Sequence, residues 1–139
     1  MSVRKIEFRA WDKREKRMGE VTGFRFSKSQ YPCVNVRFKQ NGKIIDERYC
    51  FGQEDGSDNV ILMQFIGRHD KNGIEIYEGD IISAYNGRIK GPVIFDKRGL
   101  AFGVPNGPNE IYQFSMNFLE SKDIKVIGNI YENPEILKE

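Results

Sequence analysis

The 139 residues, 39% of them hydrophobic and 30% charged, fit one ordinary globular domain with enough apolar material for a core. No apolar run approaches the roughly 18 residues of a membrane span, and the first residues, Met1-Ser2-Val3-Arg4-Lys5-Ile6-Glu7, lack the apolar stretch of a secretory signal, so a cytoplasmic protein without membrane contact is expected. The net charge of +2 hides an asymmetry: residues 1–50 hold 13 Lys/Arg against 6 Asp/Glu, and residues 51–139 hold 9 against 14. That asymmetry fits either a nucleic-acid face or docking of one part on another.

Phe8-Arg9-Ala10-Trp11 reads as a strand followed by a basic stretch. Arg9, Trp11, Lys13, Arg14, Lys16 and Arg17, with Arg4 and Lys5 before them, combine phosphate-neutralising cations with stacking rings, the mixture that single-strand binders use. Glu7, Asp12, Glu15 and Glu20 dilute the cluster, and Phe8 and Trp11 have unlike parity, so at least one ring belongs to the core.

Four Asn-Gly pairs follow, at 41–42, 72–73, 86–87 and 106–107. Both residues tolerate the positive φ that a type I′ turn needs, so Asn-Gly between β-rich runs predicts a hairpin. A two-residue turn at Asn41-Gly42 sets Phe38 opposite Ile45, Val36 opposite Glu47 and Val34 opposite Tyr49 on one face. On the other it sets Arg37 opposite Asp46 and Asn35 opposite Arg48. A slip of one residue would mix the faces. The same register places Cys33 opposite Cys50 at a non-hydrogen-bonded site, where Cα atoms come close enough for a disulfide. In a reducing cytosol two free thiols are expected, with an oxidisable cross-strand pair as the sharper alternative.

The polar stretch 52–59 predicts a loop, and a seam dividing the chain into residues 1–58 and 59–139. Asn72-Gly73 fails as a tight hairpin because it would oppose Asp70 and Glu75, so 68–73 reads as a longer loop between strands 61–66 and 74–77. Asn86-Gly87 pairs Ala84 with Ile89 and Ile82 with Gly91, and Asn106-Gly107 pairs Phe102 with Ile111 and Ala101 with Tyr112. Residues 109–118 carry both a helical reading capped by Asn109 and an alternating strand pattern, which is preferred. A turn near Ser121-Lys122-Asp123 leads to a strand over 124–131. A closing helical turn over 132–137 has Asn133 as cap and Pro134 first.

No pattern specifies catalysis. His69 stands beside Asp70 in a polar loop without a nucleophile motif. Three Cys/His residues are too few for a structural zinc site. The run Glu54-Asp55-Gly56-Ser57-Asp58 lacks the order of a calcium loop, and no glycine-rich phosphate loop is present. Glu78 and Asp80 share one face of a strand, an arrangement commoner at turns than in acid–base sites. A non-enzyme without cofactor or metal is expected.

Three blocks carry a resemblance. Phe8-Arg9-Ala10-Trp11-Asp12-Lys13 resembles the opening of the YopX family. Leu62-Met63-Gln64-Phe65-Ile66-Gly67, Asp70-Lys71-Asn72-Gly73 and Ile76-Tyr77-Glu78-Gly79-Asp80-Ile81-Ile82 are similar to its central signature, and the run from Val126 to Glu135 to its C-terminal one. Residues 19–59 match no motif. The resemblance implies a phage or prophage protein of Gram-positive bacteria, mainly β, with an SH3-like small barrel in the C-terminal part and self-association. It brings no activity. The resulting expectation is a mainly β, antiparallel fold with little helix: a self-assembling module in the bacterial host cytoplasm that binds a phage or host protein. The alternative is a nucleic-acid binder using the basic N-terminal segment.

Overall fold

The computed structural model describes residues 5–26, 31–51, 59–105, 107–108, 110–114 and 120–138. The Asn41-Gly42 turn sets the longest ladder. Asn41 (φ 52°) and Gly42 (φ 76°) join β3 (Cys33–Gln40) to β4 (Lys43–Cys50), and all eight pairs fall in the expected register. Val34, Val36 and Phe38 are buried, while Arg37 Nε donates to Asp46 Oδ1 at 2.9 Å on the open face. Period-2 alternation in β3 thus sorts the side chains to their faces.

Two compact units divide the chain, Glu7–Gln64 and a second formed by Met1–Ile6 with Phe65–Glu139. The boundary lies inside a strand, beyond the 52–59 seam expected from composition, and residues 52–58 of that seam lie outside the described residues. In the first unit, β1 (Phe8–Asp12), β2 (Arg17–Arg25), β3, β4 and the start of β5 (Val60–His69) pair antiparallel in the order β4-β3-β2-β1-β5. Its core is Ala10, Val34, Val36, Phe38 and Val60, bordered by Val21, Ile45, Tyr49, Phe51 and Leu62. Gly19 is required here: a Cβ would sit 2.6 Å from Val36 Cγ1 and 2.7 Å from the Phe38 ring.

In the second unit the end of β5 pairs with β6 (Glu75–Tyr77) around a 70–74 loop, as the failed Asn72-Gly73 hairpin predicts, though β5 begins one residue earlier and ends three residues later than expected. Two three-stranded sheets follow. One is β12-β7-β8, from β7 (Asp80–Ala84), β8 (Ile89–Pro92) and β12 (Ile124–Asn129). The other is β11-β10-β9, from β9 (Ile94–Asp96), β10 (Ala101–Pro105) and β11 (Ile111–Gln113). Their shared core is Ile76, Ile82, Ala84, Val93, Val104, Phe114 and Ile124. The fold is therefore mainly β and antiparallel. The SH3-like barrel that the resemblance implies is not shown: among the described residues these sheets do not close on one another.

Asn86-Gly87 behaves as expected, pairing Ile82 with Gly91 and Ala84 with Ile89, with both turn residues at positive φ. The hairpin at 106–107 forms in another register, Pro105 opposite Ile111 and Gly103 opposite Gln113. A two-residue turn would make Pro105 and Pro108 its closing pair, and proline has no N–H to exchange across it, so the loop lengthens. Of the 109–118 alternatives, β11 is a strand; residues 109 and 115–119 lie outside the described residues. Ser121–Asp123 is a 3-10 turn, β12 stops at Asn129, and Pro134–Lys138 forms the closing 3-10 helix with proline first. Asn133 stands directly before it: its C=O accepts the Ile136 N–H at 3.2 Å, and its Oδ1 accepts the Asn129 N–H at 3.2 Å.

Candidate functional site

The six basic and aromatic candidates do not form one surface. Arg9 and Trp11 are strand residues of β1; Trp11 is 9% exposed, opposite Met18 and Ile61 in the ladders. Lys13, Arg14 and Lys16 are exposed together on the β1–β2 turn, where Lys16 has φ 54°. Arg17 turns inward: its guanidinium lies 4.0 Å from the Phe38 ring centroid, and its nitrogens lie 3.9 Å from Asp12 and Glu47. The expected interleaving of cations with Trp11 is thereby lost, because the ring went to the interior, where large aromatics bury most apolar area.

That turn is organised by Asp12, which is buried. Its Oδ1 accepts the N–H groups of Arg14 (2.9 Å) and Glu15 (3.0 Å), and its Oδ2 accepts the Tyr49 hydroxyl at 2.5 Å. Burial alone would raise the Asp12 pKa, but the Tyr49 hydroxyl, the two backbone donors and the Arg17 charge hold it below the ordinary value. Burial and the bond to Asp12 together push Tyr49 up to about 12. A hydroxyl held this far above its ordinary pKa stays protonated near neutrality and remains a donor that holds the turn.

Phe8 and Phe24 meet edge to face at 5.1 Å, and Phe24 stacks on Phe26 at 5.8 Å; Phe26 is 81% exposed. Parity alone did not reveal this row, because a register shift in the β2–β3 ladder between Val21 and Gly23 re-aims β2.

Cys33 and Cys50 are joined, with Cα atoms 4.0 Å apart, at the end of the β3–β4 ladder. The expectation of two free thiols is corrected. The non-hydrogen-bonded position brings the Cβ atoms within bonding reach, as the register requires.

His69 packs edge-on against Phe65 at 5.5 Å. Its neighbour Asp70 is turned to the backbone: Oδ1 accepts from Asn72 (2.8 Å) and Ile74 (2.9 Å), and Oδ2 from Val126 (3.0 Å). Burial opposes the charge, but these three donors and Lys71 keep the Asp70 pKa below its ordinary value. Asp80, the other strand carboxylate, accepts from Tyr77 N–H at 2.8 Å.

In the second unit the 70–74 loop, the β7–β8 turn and the Ser121–Asp123 turn enclose an open groove of about 700 Å³. Lys71, Arg88, Lys122 and Lys125 line it with Tyr85 and Asp123. No sequence signal identified it, since its cations lie far apart in the more acidic part of the chain.

An all-antiparallel chain of short strands, with turns held by buried carboxylates and no cluster of three or more metal-ligating side chains among the described residues, defines a β-rich module. The YopX family model matches residues 7–138, and the chain belongs to the YopX family. Protein EF1440 from Enterococcus faecalis has a similar crystal structure, with 29% identity and a TM-score of 0.62. The match covers 97% of this chain and 99% of that one. Protein yopX from Bacillus subtilis, at 18% identity and a TM-score of 0.51, shares the fold over 93% of this chain and 95% of that one. No curated protein matches the sequence. No helix among the described residues is long and apolar enough to cross a membrane.

Proposed function

We propose that this chain is a non-enzymatic accessory protein of a phage or prophage, working in the bacterial cytoplasm, that self-assembles and binds a protein partner. The observation that carries the proposal is the outer edge of β4. This eight-residue strand ends its sheet, and among the described residues no strand pairs with its far side. Counting from the turn, Ile44, Asp46 and Arg48 direct their backbone N–H and C=O groups away from β3. Ile44 is 62% exposed. An uncovered edge of this length is a template for another strand.

A second copy fits it antiparallel about a two-fold axis at Glu47. Asp46 then faces Arg48 of the second copy twice, and Ile45 faces Tyr49 twice. The central pair of Glu47 carboxylates is tempered by Arg17, 3.9 Å away in each copy. The Phe8–Phe24–Phe26 row supports the partner-binding part of the reading, since exposed aromatic patches favour protein contacts. A non-catalytic role agrees with Asp70 serving backbone amides rather than His69.

Light scattering on a size-exclusion column tests the assembly. The expected result is a dimer that persists at high salt, because edge pairing rests on backbone bonds rather than on screened charges. Arg48→Pro removes an outward N–H while sparing the β3 ladder, and is expected to give monomers. A wild-type monomer at all concentrations would refute self-assembly.

A further inference from the structure

Three segments converge on the groove of the second unit, and each is fixed by backbone bonds. Lys71 N–H donates to Ile124 C=O at 2.9 Å, Tyr85 N–H to Asp123 C=O at 3.4 Å, and Ser83 stands opposite Lys125 in the β7–β12 ladder. Four cations line the groove against one carboxylate, Asp123, with Glu120 bonded to Lys122 at 3.3 Å nearby. The β7–β8 turn holds three successive residues at positive φ, Tyr85 (52°), Asn86 (58°) and Gly87 (87°). Asparagine and glycine suit that region; an aromatic residue there is a genuine outlier. The outcome is a tyrosine, 37% exposed, in the lining of a cationic groove.

We propose that this groove binds single-stranded nucleic acid, with Lys71, Arg88 and Lys125 neutralising phosphates and Tyr85 stacking on a base. The lining favours a nucleic acid over an acidic protein segment: it offers charge, amide and hydroxyl groups and one ring, but no aliphatic side chain to seat an interface core. Cations with a ring are the combination that tracks a phosphodiester backbone and accepts any base. Arg88 adds a planar fork suited to phosphate oxygens. The site shares no residue with the basic β1–β2 turn and does not depend on assembly through β4.

Fluorescence anisotropy with a labelled oligothymidylate tests the proposal, using the full chain and its variants across a salt series. Four groove cations predict a log–log salt slope of up to about −3, and Arg88→Gln or Lys125→Gln should each flatten it by about 0.7. Tyr85→Gly relieves the left-handed backbone, so it should melt no lower than wild type yet bind about fivefold or more weakly. A side chain present only for structure would not separate those two readouts. Failure to bind at ~100 µM protein in low salt would overturn the proposal. So would binding that the three substitutions leave unchanged, or equal competition by polyglutamate, which would assign the groove to an acidic protein.

Discussion

Replacing Asp70 by asparagine isolates the joint between the 70–74 loop and β12. The carboxylate accepts three backbone N–H groups, two on Oδ1 and that of Val126 on Oδ2. Asparagine keeps one acceptor, which can serve Asn72 and Ile74, but turns its NH₂ toward the Val126 donor. One charge-assisted bond is lost, the other two lose their charge, and a buried donor is left unpaired. Together these cost about 2–3 kcal/mol at neutral pH. At about 4 °C per kcal/mol for a unit of this size, the melting temperature should fall by about 8–12 °C.

The same variant carries a pH signature. Asp70 has a folded pKa below its unfolded one, so the folded state holds fewer protons between the two values. Its contribution is complete above the unfolded value of about 3.9 and is lost as pH falls through the folded pKa. The gap between wild type and Asp70→Asn should therefore be full at pH 7 and narrow below pH ~4. Circular dichroism melts at both pH values measure the gap, and hydrogen exchange at the Val126 amide locates it. Equal melting temperatures at pH 7, or a gap that persists undiminished in acid, would refute the reasoning.

Other perturbations follow the same logic. Cys33→Ser with Cys50→Ser should cost the oxidised protein about 3 kcal/mol, the chain-entropy value for a loop of roughly this length. Reductant should shift wild type alone, and a thiol titration finding two free thiols after exposure to oxidant would reject the bond. Gly19→Ala should destabilise by about 1–3 kcal/mol in urea unfolding, because Val36 and Phe38 leave no room for a methyl group. Tyr49→Phe should cost about 1.5–3 kcal/mol by removing the donor to Asp12, and the Asp12 carboxyl should then titrate higher by NMR. An unchanged Asp12 titration would show that the hydroxyl does not hold the turn.

Local rules made the β3–β4 hairpin readable from residues alone, since turn chemistry and alternation at Asn41-Gly42 agree on one register. The same holds for the pairing around Asn86-Gly87 and for Pro134 opening the last helical turn. The blocks near Phe8, Asp70 and Asn129 gave the family for a similar reason: each is a contiguous run. Where Pro105 and Pro108 withhold their N–H groups, turn chemistry misled, and the 106–107 hairpin took a wider loop. Trp11 turned inward and Arg17 settled on Phe38 because burial is decided by which strands lie alongside, information that the N-terminal segment does not contain. The cationic groove is the clearest case. Lys71, Arg88, Lys122 and Lys125 are scattered over fifty-odd residues within the net acidic part of the chain, 51–139, and only antiparallel return of β12 onto β7, pinned by Asp70, brings their charges to one surface. Patterns of near neighbours fix turns and faces; which distant charges share a cavity depends on long-range strand pairing, whose register no short window of sequence encodes.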